Sequence, residues 1–182
     1  MKFYISDLHI GHKNAILFDK RPFWNVEDQN QEIIRRWNNA VTDKDEVYIL
    51  GDFAWDNNMG LEVIRQLHGT KYLIRGNHDR LNAALTAEFA WVKDYAEIKD
   101  NGESLVLFHF PIAHWRNADY GAIHLYGHIH SIGRDSKPFR GYREIMRQRE
   151  VPYRCYNVGC MLQYMDYQPR TLEYIIENGG NE

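Results

Sequence analysis

Residues that bind metal ions and carry protons are concentrated in five short motifs of this 182-residue chain, which contains nine histidines. In chain order the motifs are Asp7-Leu8-His9, Gly51-Asp52, Gly76-Asn77-His78-Asp79, His109 and Gly127-His128-Ile129-His130. Imidazole and carboxylate ligands together suit Zn, Mn, Fe, Co or Ni, and a set without thiolates argues against a structural zinc site. The set is too large for one ion. It fits two ions that share a bridging carboxylate, an arrangement that holds a phosphoryl group and activates a water for in-line attack.

Each motif alone also has a plainer interpretation. A D-x-H at a strand end suits a turn with a surface histidine, and Gly51-Asp52 and Gly76-Asn77-His78-Asp79 are both compatible with ordinary turns. Gly127-His128-Ile129-His130 is more specific, because alternate residues at a strand end share one face. The occurrence of all five motifs in this order favours a metal site over a series of unrelated turns.

Short apolar runs precede the motifs and predict the strands that position them. Ligands in open α/β sheets bind at the carboxyl ends of the strands, so these motifs are expected to converge. The order β-α-β-α-β-α followed mostly by β predicts an α/β domain with parallel strands first and antiparallel strands later. The predicted strands are 2–6, 47–50, 72–74, 91–99, 103–109, 122–127, 153–158 and 171–177, and the predicted helices are 27–40, about 61–67 and about 80–89.

Composition narrows the class of protein. The length suits one domain, taken as residues 1–182, and a net charge of −3 gives no overall attraction to nucleic acid or an anionic membrane. The two cysteines, Cys155 and Cys160, form no disulfide framework. The N-terminal residues are predicted to be a strand and not a signal peptide, and no window is apolar enough to span a membrane. The expected location is the cytoplasm.

Taken together, the five motifs resemble the calcineurin-like metallophosphoesterase family, whose pattern is D-x-H, G-D, G-N-H-D/E, H and G-H-x-H. The resemblance spans residues 3–130, and Asn157-Val158-Gly159 is similar to the closing strand of the family. It implies an α/β fold, a four-layer sandwich of two mixed β-sheets flanked by helices, with the site at the loop ends. The chain looks most like the small single-domain bacterial and phage phosphoesterases.

The resemblance also implies a role for each motif residue. His78 would not bind metal but would contact the phosphate and protonate the leaving oxygen. The nucleophile would be a hydroxide held by both metals, so no residue would be phosphorylated. The two divalent ions are expected to be Mn, with Fe, Zn, Ni, Co or Mg as alternatives. Asp7, His9 and His130 would bind the first metal, Asn77, His109 and His128 the second, and Asp52 would bridge them.

One departure from the family bears on the substrate. The protein-phosphatase branch has G-D-x-x-D-R-G, whose Arg grips the phosphate, whereas residues 51–57 read G-D-F-A-W-D-N. Protein phosphatase activity is therefore not expected, and Asp56 is interpreted as a loop residue and not as the partner of His78. Asp79 would either orient His78 or cap the following helix, and the cap is favoured.

The favoured activity is a phosphodiesterase acting on a nucleotide or another small phosphodiester. The alternatives are a nuclease acting on DNA or RNA ends, a phosphomonoesterase and, in a different class, a non-catalytic scaffold with this fold. The expected partner is thus a nucleotide-like phosphoester, with nucleic acid as an alternative and no membrane. The oligomeric state is left open.

Two further features could bind substrate. His12 lies near a predicted helix start, where it would either meet a substrate phosphate or be an exposed helix-end histidine. A basic insertion at about 131–152 contains Arg140 and Arg143, and residues 131–154 have seven basic and three acidic side chains, a local charge of +4. This stretch is either a solvated loop with a short helix or a lip that grips a polyanionic substrate.

Overall fold

Two β-sheets form the centre of the fold in a computed structural model that describes residues 1–130, 144 and 154–179. The described strands are β1 (Lys2–Ile5), β2 (Glu46–Leu50), β3 (Thr70–Ile74), β4 (Trp91–Lys93), β5 (Tyr95–Asp100), β6 (Glu103–Phe108), β7 (Ile123–Tyr126), β8 (Arg154–Asn157) and β9 (Arg170–Thr171). The first sheet has the order β4-β3-β2-β1-β9, and the second has the order β5-β6-β7-β8. Both sheets are mixed, because β9 is antiparallel to β1 and β5 is antiparallel to β6, whereas the other pairs are parallel.

Helices flank the sheets, and side chains define where several of them begin. Asn25, Asp56, Asn82 and Thr171 each precede a helix and accept a hydrogen bond from a backbone N–H of its first turn. The described helices are α1 (Lys13–Phe18), α2 (Val26–Ala40), α3 (Asn57–Ile64), α4 (Ala83–Thr86) and α5 (Leu172–Asn178), with a 3₁₀ turn at Ala118–Tyr120.

The sheets share one hydrophobic core. The main buried cluster contains Ile5 and Ile49 of the first sheet together with Leu107 and Leu125 of the second. The hydroxyl of Tyr4 donates to Asp100 Oδ2 at 2.9 Å and so joins β1 to β5. Burial on both sides holds the two sheets in a fixed relation, and this relation brings their strand ends together.

The predicted fold class is confirmed, since two mixed sheets flanked by helices are present. The predicted strand at 171–177 is wrong, because this segment is mostly the helix α5. Its β-branched residues favour a strand, but Leu172 and Ile175 are buried three residues apart on one helical face and the Thr171 side chain caps the first turn.

Three smaller expectations differ from the structure. The predicted strand 91–99 is divided between β4 and β5, which belong to different sheets. The later strands β6, β7 and β8 are parallel and not antiparallel. The helix expected at about 80–89 is limited to Ala83–Thr86. The basic insertion at 131–152, with Arg140 and Arg143, lies outside the described residues.

Among the described helices, none has both the length and the apolar character needed to cross a membrane.

Candidate metal centre

Loops that follow strands of both sheets meet at one edge of the molecule. The N–H of Asp7, after β1, donates to the carbonyl of Gly51, after β2, at 3.0 Å. The N–H of His9 donates to the carbonyl of Asp52 at 2.9 Å. The backbone of the second sheet joins this edge where the N–H of His128 donates to the Asp7 carboxylate at 3.0 Å. The predicted convergence of the motifs is therefore present.

Four of the motif residues have a backbone conformation that is unfavourable for residues with a side chain. The φ angles of Asp7, His9, Asp52 and His128 are 58°, 51°, 54° and 67°. A left-handed conformation costs a non-glycine residue roughly 1–2 kcal/mol, and it persists where the surroundings determine it. Its recurrence at four side chains of one site indicates that the backbone is arranged to direct these groups inward.

A first ligand group consists of Asp7, His9 and His130, each of which offers an atom within 4.8 Å of the others. His130 Nε2 lies 3.6 Å from Asp7 Oδ1. Asp7 is fully buried, and its Oδ2 also accepts the hydroxyl of Ser6 at 2.7 Å. The carboxylate is thus fixed in orientation, with His130 on one side of it.

A second ligand group consists of Asp52, His109 and His128. The Nδ1–H of His109 donates to the carbonyl of Leu50 at 2.8 Å, which directs Nε2 of the ring into the site. This Nε2 faces Asn77 Oδ1 at 3.0 Å. Two lone pairs facing each other at this distance are repulsive unless a cation or a proton lies between them, so Asn77 joins this group geometrically.

Asp52 lies between the two groups. Its Oδ2 is 3.6 Å from His9 Nε2 of the first group and 3.5 Å from His109 Nε2 of the second. Two ligands that each lie about 2.1 Å from one ion are separated by roughly 3.0–3.4 Å. The spacing of one carboxylate oxygen to a histidine of each group is therefore close to that of a bridging ligand.

The buried polar atoms of the site fit bound metal ions. Both ring nitrogens of His9 are buried and have no hydrogen-bond partner among the described residues. A buried imidazole without a partner loses solvation, and a cation restores it. The donor set contains only nitrogen and oxygen atoms, which suits a divalent transition ion. The structure therefore has two candidate metal-ligand groups.

A buried ion pair outside the motifs supports the first ligand group. Asp19 Oδ1 accepts the Nδ1–H of His130 at 2.6 Å, which leaves Nε2 of this ring for the site. Asp19 Oδ2 accepts hydrogen bonds from Arg21 at 2.9 and 3.0 Å. The guanidinium of Arg21 is fully buried and also donates to the carbonyls of Asp7 and Leu8 at 2.9 Å. The pair thus holds both the histidine and the loop of the first motif.

These contacts shift the pKa values of the first group in opposite directions. Burial lowers the pKa of His130, but hydrogen bonds and charges of Asp19 and Asp7 outweigh it and raise this pKa to about 10. Burial raises the pKa of Asp7, but His130 outweighs it and holds this pKa well below its usual range. Burial also lowers the pKa of His9 to about 3, so this ring is a neutral ligand.

In the second group, burial raises the pKa of Asp52, and the nearby charge of Asp7 adds to the effect. Burial is also the main cause that lowers the pKa of His128. A carboxylate that resists ionisation and an imidazole that resists protonation both gain from a cation between them. The electrostatics of the second group therefore favour positive charge at this position.

Asp79 has a structural role that differs from both sequence interpretations. Its carboxylate accepts N–H groups of Asp52, Phe53 and Gly76 at 2.8, 2.9 and 2.8 Å. The expectation that Asp79 caps the next helix is wrong, because Asn82 caps α4. Asp79 instead joins the loop after β2 to the loop after β3, since both loops lack the partners that a continuing sheet would supply.

Close packing explains the glycine of the second motif. Gly51 has a φ of +92°, and a Cβ placed on it would overlap Nδ1 of the His109 ring. Any larger residue would therefore displace a member of the second ligand group.

A cavity of about 670 Å³ opens on the two ligand groups. The His78 ring lines it at 5.6 Å from the His9 ring, and the His78 N–H donates to Asp52 Oδ1 at 2.8 Å. Asp56 accepts the N–H groups of Asn58 and Met59 and so caps the start of α3, and its side chain is not paired with His78 among the described contacts, in agreement with the prediction. The described lining residues are His9, His12, Asn14, Ala15, Phe18, Asp19, Asp52, Trp55, His78, His128, Ile129 and His130.

The structure brings His12 to this cavity, partly buried and stacked on Trp55 with a centroid distance of 4.2 Å. It is thus not the exposed helix-end histidine of one interpretation. Asp19, Arg21 and Trp55 were not anticipated from the sequence. No motif marks them, and the only signal was an aromatic residue three positions after Asp52.

Comparisons with known proteins agree with the site. The family model of the calcineurin-like phosphoesterase superfamily domain matches residues 1–176. The chain is 33% identical over 179 residues to the uncharacterized protein MJ1445 of Methanocaldococcus jannaschii. This alignment covers 96% of this chain and 89% of that protein. It is 31% identical to the gene 66 protein of Mycobacterium phage L5, over 70% of this chain and 76% of that protein.

A solved structure has a similar fold. The protein of unknown function AQ665 from Aquifex aeolicus aligns with a TM-score of 0.72 and 24% identity, over 97% of this chain and 98% of that one. This likeness extends over nearly the whole chain and concerns the fold. The chain belongs to the calcineurin-like phosphoesterase superfamily, whose members are metal-dependent hydrolases of phosphoesters.

Proposed function

We propose that this protein is a phosphodiesterase with two divalent ions, Mn²⁺ in the first instance, that acts on a nucleotide or another small phosphodiester. The observation that carries the proposal is the position of Asp52 Oδ2, 3.6 Å from a histidine of one ligand group and 3.5 Å from a histidine of the other. Asp7, His9 and His130 would hold one ion, and Asn77, His109 and His128 the other. Asp52 would contact both.

When bound, two such ions would activate a water and neutralise the charge of the phosphoryl oxygens. The chain would supply orientation and a proton. The backbone N–H of His78 donates to Asp52, which positions this residue, and its ring lines the cavity beside the ligand groups. We assign to it the proton that the leaving oxygen needs. Among the described lining residues there is no serine, threonine or cysteine, which agrees with direct attack by water.

The charge of the cavity favours diesters over monoesters. Within the described part of the chain, neither lysine nor arginine lines the cavity, whereas Asp19 and Asp52 do. A monoester dianion carries one more negative charge than a diester and would need an additional cation. The absence of the family's phosphate-gripping Arg after Asp52 points in the same direction.

Hydrolysis of bis(4-nitrophenyl) phosphate in the presence of Mn²⁺ tests the proposal, with 4-nitrophenyl phosphate as the competing monoester. Asp52→Asn and His128→Ala are expected to lower the rate by at least about 100-fold, because the first removes the charge of the bridging carboxylate and the second removes a ligand. Asp94→Asn and His68→Ala, at exposed positions, are the matched controls and should retain the rate. Full activity in either ligand variant would contradict the proposal, and faster turnover of the monoester would favour a phosphomonoesterase.

Two panels would define the substrate and the metal. Linear dinucleotides and 2′,3′- and 3′,5′-cyclic nucleotides would be compared with single-stranded and nicked nucleic acid, and preference for the latter would favour the nuclease alternative. Each activity measurement would be repeated with Mn²⁺, Ni²⁺, Zn²⁺ and Mg²⁺.

We also propose that residues 1–182 form one domain, which is supported by a core that includes both Phe3 and Ile175.

A further inference from the structure

Three aromatic rings, those of Trp55, His12 and Phe18, line the cavity and together form its aromatic wall. Trp55 and Phe18 are 54% and 68% exposed although both are large apolar side chains. Exposed rings that border a concave polar site are typical of ligand-binding surfaces. The wall therefore needs an explanation beyond the packing of the fold.

The Trp55 ring has one covered face and one open face. His12 stacks on it with a centroid distance of 4.2 Å and an interplanar angle of 26°. Because one face is covered in this way while 54% of the residue is exposed, the opposite face and an edge must account for the exposure. An open indole face with a backing ring is a surface on which another planar ring can stack.

The wall is attached to the loop that carries the first ligand group. The Trp55 N–H donates to the carbonyl of Ile10 at 2.9 Å, and the His12 N–H donates to the carbonyl of His9 at 3.0 Å. The Trp55 ring lies 5.4 Å from the ring of His78. A ring stacked on Trp55 would consequently be held at a defined position relative to the phosphorus atom of the same molecule.

We propose that Trp55, backed by His12, is a stacking subsite for a planar ring carried by an ester group of the substrate, namely a nucleobase. The proposal rests on the proposed function, since the phosphate of that substrate binds at the metal centre. A cavity of about 670 Å³ is larger than a phosphate group requires and is within the usual range for a nucleotide-sized ligand. Stacking on an aromatic face tolerates every base, so little discrimination among bases is expected.

The subsite is tested by binding two ligands that differ only in the base. Calorimetry on the Mn²⁺-loaded protein would measure Kd for the 5′-methyl phosphodiester of adenosine and for the 5-methyl phosphodiester of ribose, with ester hydrolysis followed so that turnover is not mistaken for binding. The wild type should bind the nucleotide about 5- to 100-fold more tightly. Trp55→Ala and Trp55→Leu should bring this ratio close to one, whereas Trp55→Phe should retain part of it. Trp24→Ala is the control, because Trp24 is 95% exposed and does not line this cavity.

The possible outcomes distinguish failure of the stacking subsite from failure of the proposed function. Equal affinity of the wild type for both ligands would overturn the subsite while leaving the proposed function intact. A preference that survives in Trp55→Leu, or that is lost equally in Trp24→Ala, would overturn the assignment to Trp55. Binding of Mn²⁺ without binding of either diester would overturn the proposed function, and the subsite with it.

Discussion

Replacing Asp19 by asparagine tests whether a buried carboxylate outside the motifs sets the metal affinity of the first ligand group. Asp19 accepts the Nδ1–H of His130 at 2.6 Å and so fixes the orientation of the ring that presents Nε2 to the site. Asparagine has the same shape and retains one acceptor oxygen, but it removes the charge. The change therefore keeps the volume of the side chain and removes the charge that supports His130, but its amide N–H₂ also loses the hydrogen bonds to Arg21.

The expected change in metal affinity follows from two opposing effects. Loss of an outer carboxylate typically lowers metal affinity by about 10- to 100-fold, or roughly 1.4–2.7 kcal/mol. In the metal-free protein, however, a pKa of about 10 keeps His130 protonated at neutral pH, and the ion must displace this proton. The variant lowers that pKa and eases the competition. The loss is thus expected to be larger at pH 8.5 than at pH 6.5, and it reaches its full size only above about pH 10, where His130 has lost its proton in the wild type.

The assay is a titration of the metal-free protein with Mn²⁺ at both pH values, by competition with a chelating dye. Asp94→Asn is the matched control, because Asp94 is exposed and pairs with Arg75 on the surface at 3.2 Å. Urea unfolding would be recorded in parallel, since Asp19 also pairs with the buried Arg21. A loss of affinity at pH 8.5 that is no larger than the loss at pH 6.5 would refute the reasoning.

Three further predictions concern the proton of His130, the Asp79 carboxylate that joins two loops, and Gly51 of the second motif. Metal loading at pH 7.5 should release at least one proton, that of His130, and ionisation of a metal-bound water would add to it; calorimetry in buffers of different ionisation enthalpy measures the total, and no release would contradict the raised pKa. Asp79→Asn should lower the free energy of unfolding by about 2–4 kcal/mol, because an amide N–H₂ would face backbone donors; an unchanged urea midpoint would contradict this role. Gly51→Ala should reduce bound metal from two ions to one by displacing His109, whereas Gly102→Ala, with a similar positive φ and nothing near its Cβ, should retain both.

Local sequence predicted the strands that carry the site better than the elements that surround it. The strands before Asp7, Asp52 and Asn77 are short apolar runs ended by Gly, Asp or Asn, so propensity and burial agree there. In segment 171–177 they disagree, because its β-branched residues favour a strand whereas packing buries one helical face. Tertiary contacts decide such cases.

The sequence by itself determined the residue types of the candidate site and their order at the strand ends. These features can be predicted from the sequence because each motif directly follows its own strand, and parallel strands present their carboxyl ends at one edge of the sheet. Only the tertiary structure decided what supports these residues. Asp19 and His130 are 111 positions apart, and no periodicity relates them. The stacking of His12 on Trp55 and the hydrogen bonds of the Asp79 carboxylate likewise join different loops, so they exist only once both sheets have packed around a common core.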